Sequence, residues 1–299
     1  MQKYKSLVAS MSLLLGVAFS VSAYAYDNEH DKHDDSYHGD YNKGDRDHKD
    51  KYDPTIFSAS GKTGATDSLN SFINAIGADK LSRIGWDGVR LDGTDVNPNT
   101  RIIDFGKTVE IPVDRFKNVG ALFADPYSVS GDGFSSVNPH SAGQFPAFTP
   151  NNTFIMFDPN DGQFEDRQIQ QSFVLPNTDT AAGTRGFGAI FIDVELPRST
   201  YIEYFGKDEY GNKVSLAKLA VPKGASGEPE FVGAIFADPI VAEVELTVGS
   251  KALFSFDGKS VKSFGSENLS KWVDLVVTDD FVFGRPETLK TVKGKYSWD

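Results

Sequence analysis

The chain of 299 residues contains no cysteine. That single absence excludes disulfides, thiolate metal sites, cysteine nucleophiles and the lipid-carrying cysteine of a bacterial lipoprotein. Histidine is nearly as scarce where folding is expected, since only His140 lies beyond residue 53. A Ser-His-Asp triad would have to use it, yet it stands in the turn-like NPHSAG and no G-x-S-x-G elbow accompanies it. The phosphate-cradling GxxxxGK loop is missing, and the glycines of TRGFGA fall inside a strand pattern where close sheet packing accounts for them. Positive charge is in deficit, with 30 Lys and Arg against 42 Asp and Glu. Such a surface disfavours nucleic acid and anionic lipid, whose phosphates need cations to displace their counterions.

What is present begins with an export pattern. Lys3 and Lys5 precede an apolar run from Leu7 to Val21, and Ala23-Tyr24-Ala25 fits the small-x-small rule for signal cleavage. Residues 1–25 are therefore read as a signal peptide and Tyr26 as the first mature residue, with cleavage after Ala23 as second choice. The apolar run of about 15 residues is short of the roughly 20 that span a bilayer. No later segment reaches that length, so no membrane insertion is expected after cleavage. Losing Lys3 and Lys5 leaves 28 basic residues against 42 acidic ones, a net charge of −14.

Residues 26–53 hold ten acids, five Lys or Arg and four His, with no Val, Ile, Leu, Phe or Met. A segment with so little to bury cannot offset its ordering entropy, and a disordered arm is expected. His30, His33, His38 and His48 interleave with carboxylates there, the composition of a weak transition-metal site or of a solubilising linker.

Residues 54–299 read as one all-β domain, a two-sheet antiparallel β-sandwich of jelly-roll type with one short N-terminal helix. The helix is TDSLNSFINAIG: Thr66 or Asp67 caps it, Leu69, Phe72, Ile73 and Ile76 form its stripe, and Gly77 ends it. Strand-like segments follow, from RIIDFGKTVEIPV to WVDLVVTDDFVFG. In GTRGFGAIFIDVELP, Ile190, Ile192, Val194 and Leu196 share a face opposite Asp193 and Glu195. GAIF occurs at Gly188 and Gly233, and FADP at Phe123 and Phe236, which suggests repeated strand and turn solutions without a solenoid period.

The last strand poses a problem. On alternate positions Val273, Leu275, Val277, Asp279, Phe281 and Phe283 share one face, so an acid interrupts an apolar row. A carboxylate buried without a partner costs several kcal/mol. Either Asp279 reaches a cation, a metal or N–H donors, or a bulge turns it away and exchanges its role with Asp280.

Aromatic residues are the other resource. Trp86 and Trp272 stand near aliphatics and are expected in the core, whereas Trp298 is open. Tyr201, Tyr204, Tyr210 and Trp298 are candidates for a sugar-stacking face, with Tyr201 and Tyr204 on opposite sides of a regular strand.

The segments GWDGV, GFGAIFIDVELPRSTYIEYFGKDEYGNKV, EFVGAIFADPIVAEVELTVG and VVTDDFVFGRP resemble, in order and spacing, a family of secreted bacterial β-sandwich proteins related to exosortase-sorted, PEP-CTERM type proteins. The likeness spans roughly residues 83–287. Members carry a Pro-Glu-Pro sorting tail with a hydrophobic stretch, which KGKYSWD does not match, so release or periplasmic residence is expected over anchoring. The family is similar to jelly-roll carbohydrate-binding modules, in which an acid of the final strand ligates a structural calcium. That resemblance implies a calcium site at Asp87, Asp279 and Asp280. Arg185 or backbone N–H groups are the metal-free alternative for Asp279.

The expected function is an exported, surface or matrix-associated protein that binds glycan without catalysis, its partner an extracellular polysaccharide. Two rivals stay open: a secreted glycan hydrolase or lyase using paired carboxylates, and a metal-handling protein using the His-rich arm. The localisation expected is secreted or periplasmic, in a bacterium. Mass spectrometry of the exported protein should give an N-terminus at Tyr26; a mass retaining Met1 would refute the signal assignment.

Overall fold

The computed structural model describes residues 52–95, 100–156 and 167–293. Residues 1–25, read from the sequence as a signal peptide, nearly all of the arm with its four histidines, and Trp298 lie outside the described residues. The described strands run in chain order as β1 (Thr55–Ser60), β2 (Leu81–Ile84), β3 (Arg101–Asp104), β4 (Thr108–Ile111), β5 (Ala121–Phe123), β6 (Tyr127–Ser130), β7 (Thr153–Met156) and β8 (Gln168–Phe173). They continue as β9 (Gly186–Ile192), β10 (Tyr201–Lys207), β11 (Lys213–Ala220), β12 (Pro229–Ile235), β13 (Glu243–Thr247), β14 (Phe254–Phe256), β15 (Val261–Ser263) and β16 (Val277–Gly284).

One nine-stranded sheet has the order β1-β12-β9-β16-β7-β6-β4-β3, with β2 also paired to β16. A five-stranded sheet has the order β11-β10-β13-β8-β5, and β14 with β15 form a small ribbon. All of these pairings are antiparallel. The larger two sheets face each other through aromatic rings. Phe173 of β8 lies 5.3 Å from Phe283 of β16 and 6.4 Å from Phe187 of β9. The Tyr204 hydroxyl of β10 donates to the Phe187 carbonyl at 2.9 Å, so a buried phenol bonds one sheet to the other. Trp86 fills the same layer, 5.3 Å from both Phe116 and Phe281. The chain is thus an all-β sandwich, as its alternation predicts.

The outer face of the large sheet is covered in part by helix α1 (Lys62–Ile76). It starts a turn earlier than the sequence predicts. Thr66 is not its cap, because the Thr66 hydroxyl donates back to the Lys62 carbonyl at 2.6 Å from within the helix. Gly61 takes the capping position and accepts from Ala65 N at 2.8 Å. Phe72 on its buried face packs edge-on against Phe57 of β1 and Phe231 of β12. Both GAIF glycines explain themselves here. Gly188 and Gly233 are direct register partners, and a Cβ would sit 2.6 Å from Phe231 at Gly188 and 3.0 Å from Phe72 at Gly233. The rings occupy the room that two missing side chains leave.

Two expectations fail at strand ends. The row through Ile190 and Ile192 stops there, because Asp193 takes φ 75 and turns the chain, so Asp193 is buried and not on a solvent face. Trp272 is not in the core: it is 67% exposed, with φ 58, at the end of a tight turn over Leu269–Lys271. The final strand begins only at Val277, so Trp272 has no sheet to pack on.

Truncating a ring of the inter-sheet layer removes contacts that cannot collapse, at about 3–5 kcal/mol, whereas a solvent-facing ring costs within about 0.5 kcal/mol. Urea denaturation should therefore place Phe281→Ala far below the wild type and Trp272→Ala close to it.

Candidate functional site

The acid in the last strand finds its partners in the backbone. In β16 the register against β9 passes from Thr278↔Phe191 to Phe281↔Ala189, three residues against two, which is a β-bulge at Asp279 and Asp280. The expected face is therefore broken: Thr278, Phe281 and Phe283 point the same way, while Val277 does not. On its other side β16 pairs with β7 before the bulge, at Thr278↔Phe154, and with β2 after it, from Phe281↔Ile84. The two acids stand where that neighbour changes.

Each acid ties down one side of the junction. Asp279 Oδ2 accepts from Phe148 N at 2.7 Å and Thr149 N at 3.3 Å, on the loop leading into β7. Asp280 takes a fork from Arg83 of β2, Nε at 3.1 Å and Nη2 at 2.5 Å. Asp87, exposed in the turn after β2, accepts from Asn152 N at 3.0 Å at the head of β7. Arg83 feels all three carboxylates, which raise its pKa against the cost of burial, with the Asp280 hydrogen bond the largest influence. The cation these acids share is thus a guanidinium. Asp87, Asp279 and Asp280 do not form a group of ligand oxygens within reach of one ion, as the resemblance implies they would. Arg185 does not reach Asp279 either; backbone N–H groups do.

Burial, and next the Asp280 charge, push the Asp279 carboxyl up to about 7, although the Phe148, Asp280 and Thr149 amides pull the other way.

The sugar-stacking set separates. Tyr204 is fully buried with its hydroxyl engaged, so no ligand can touch it. The opposite facing of Tyr201 leaves its ring half-buried beneath the Lys218 ammonium, 3.7 Å from the centroid. Tyr210 is 80% exposed in the β10–β11 turn. These rings do not make one platform. His140 is exposed in the turn where the sequence puts it.

The structure instead opens a cleft of about 650 Å³ at another place, where four distant segments meet. Asp79 and Lys80 come from the turn after α1, Arg185 from the head of β9, and Ala237, Asp238 and Pro239 from the second FADP turn. Arg285, Glu287, Thr288 and Lys290 follow β16. Backbone bonds hold the walls: Arg285 N donates to Lys80 O and Phe236 N to Arg185 O, each at 2.6 Å, and Lys290 N donates to Pro239 O at 3.1 Å. Gly183 and Glu287 exchange two bonds of 2.9 Å, and a Cβ at Gly183 would lie 2.3 Å from Pro239 O. Lys290 pairs with Asp238 at 2.6 Å, while Arg185 and Arg285 make no ion pair among the described residues. The cleft is of ligand-pocket size, lacks aromatics, and interleaves donors with acceptors. Sequence reasoning missed it because its residues are far apart in the chain; only the repeated FADP marks the position.

No protein-family model matches the chain, and no curated protein matches it.

The Asp279 carboxyl keeps its proton in the folded state up to about pH 7, whereas the unfolded chain loses it near the ordinary carboxylate range. Its contribution is present below that range and is lost as pH rises through about 7. Between pH 4 and 8, the melting temperature of Asp279→Asn should fall less steeply than that of the wild type; parallel profiles by calorimetry would contradict the assignment.

Proposed function

We propose that the chain is an exported, non-enzymatic β-sandwich protein that works at the cell surface or in the extracellular matrix by holding a polysaccharide in the cleft beside Arg185 and Arg285. The observation that carries this reading is the lining of that cleft. A sugar hydroxyl both donates and accepts, so it is matched by a wall that alternates Lys80, Arg185 and Arg285 with Asp79, Asp238 and Glu287. A largely apolar ligand finds no aromatic surface there. The walls are fixed by backbone hydrogen bonds before any ligand arrives, which lowers the ordering cost of binding. The export pattern and the net charge of −12, which disfavours polyanions, fit a neutral glycan outside the cell.

Each hydrogen bond from a guanidinium to a hydroxyl is worth about 1.5–3 kcal/mol, so losing both arginines should weaken binding by well over tenfold. Affinity electrophoresis of the full chain through gels containing individual neutral polysaccharides should retard the wild type and not Arg185→Ala/Arg285→Ala, at unchanged melting temperature. Equal retardation would move the site elsewhere; none with any glycan would overturn the function. Release of reducing ends would transfer the chain to the glycan hydrolases.

A further inference from the structure

The cleft beside Arg185 and Arg285 adjoins a narrower recess of about 20 Å³. Lys80, Arg185, Arg285 and Glu287 line both spaces, so the two are continuous. The rest of the recess is aliphatic or bare backbone: Ala75 and Ile76 from the last turn of α1, Ile235 from the end of β12, and Gly284 from the end of β16. Ala75 is exposed, whereas Ile76 and Ile235 are half-buried and pack against the main core.

Three element ends make this recess and hold its shape. Gly77 N donates to Ile73 O at 3.0 Å where the helix stops, and Lys80 N donates to Gly77 O at 2.9 Å in the turn that follows. The pairing of β12 with β9 runs to Ile235↔Gly186. Thr184 Oγ1 donates to Gly284 O at 2.7 Å and accepts from Gly186 N at 3.3 Å, which ties the end of β16 to the head of β9. A Cβ at residue 284 would lie 2.8 Å from Thr184 Oγ1 and 3.6 Å from Ile76 Cδ1, so glycine keeps that wall as backbone alone. The recess is thus formed before any ligand arrives, which lowers the ordering cost of filling it.

Its size and lining specify an occupant. A space of about 10–15 Å³ takes one water, so this one takes a single group of methyl size and nothing longer. Ala75, Ile76 and Ile235 offer that group dispersion contact and no hydrogen bond. Around them stand the donors of Lys80, Arg185 and Arg285 and the acceptor of Glu287. A methyl carried on an amide answers every part of this lining, because its carbonyl accepts, its N–H donates and its methyl needs an apolar seat. An acetyl ester lacks the N–H and leaves Glu287 without a donor. A carboxylate in the cleft would meet Asp79, Asp238 and Glu287, which stand against Lys80, Arg185, Arg285 and Lys290, so an uncharged polar group fits better.

We infer that the recess reads the acetamido group of an N-acetylhexosamine: the methyl sits among Ala75, Ile76 and Ile235, the carbonyl oxygen accepts from Arg185 or Arg285, and the amide N–H donates to Glu287. The inference rests on the glycan reading above and narrows it to neutral N-acetylated glycans. A parent sugar with a hydroxyl in place of the acetamido group leaves the aliphatic end unfilled. One missing methyl-sized group in a fitted apolar pocket weakens recognition by about 10- to 200-fold. The deacetylated amino sugar would bring an ammonium against Arg185 and Arg285.

Saturation-transfer NMR on the full chain tests this with the methyl glycosides of N-acetylglucosamine and N-acetylgalactosamine, set against those of glucose, galactose and glucuronic acid. The acetyl methyl protons should take the largest share of the saturation, and the acetamido sugars should bind at least about tenfold tighter than their parent sugars. Ala75→Leu, at an exposed helix position that suits Leu, should fill the recess and remove that preference at unchanged melting temperature. The inference is overturned if the ring protons are saturated as strongly as the methyl, if a glucose, galactose or glucuronic acid glycoside binds as tightly, or if the Ala75→Leu chain keeps the preference. Absence of transfer to every sugar overturns it as well. Retardation of the wild type in gels of neutral polysaccharide then separates the two claims: with it the glycan reading stands and the acetamido inference alone falls, and without it both fall.

Discussion

The bulge at Asp279 and Asp280 is the constraint on which the large sheet depends. Strand β16 has one neighbour along β9 throughout but changes its other neighbour from β7 to β2. A change of partner leaves backbone groups of the departing chain without a ladder, and a buried amide without a partner costs about as much as a lost hydrogen bond. Asp279 supplies acceptors to Phe148 N and Thr149 N at that point, and Asp280 anchors Arg83 on the arriving strand. The extra residue also places Phe281 and Phe283 toward Phe187 and Phe173, so the inter-sheet layer is set by the same local irregularity.

Buried carboxylates are a recurring expense in this sandwich, met in two different ways. Asp280 is met by a guanidinium and Asp279 by amides with a proton retained near neutrality. Glu110 of β4 follows the first way, held by Arg101 through Nε at 2.8 Å. At Asp193, Glu230, Glu267 and Asp274 burial is the largest influence, and the charges that act most strongly on them are those of other acids.

The two ends of β9 thereby carry different chemistry. At its head lies the cleft, held by backbone bonds among four segments and lined by both signs of charge. At its tail lies the acid group, formed where Asp193 turns the chain and the loop bearing Glu267 returns to meet it. The strand between is buried along its whole length, with aromatic rings on one face and the GAIF glycines on the other making room for Phe231 beside α1. Such a strand transmits no charge, so the two regions can be altered and assayed independently.

Much of the fold was legible in the sequence. Alternation located the strands from β3 to β14, and the stripe of Leu69, Phe72, Ile73 and Ile76 identified the helix, because periodicity reports which side of an element faces apolar surroundings. The same signal showed that Asp279 stood in the wrong company. It could not say what answered it, since a bulge changes every side chain beyond it from one face to the other and leaves no mark in composition. Trp272 and Asp193 escaped for a related reason: each takes a left-handed backbone angle at the edge of a regular element, where alternation ends without warning. Neither the cleft nor the acid group could be read from the chain. The cleft joins residues about two hundred positions apart and the acid group joins Asp193 to Glu267, and proximity of that kind exists only once antiparallel pairing has chosen the neighbours.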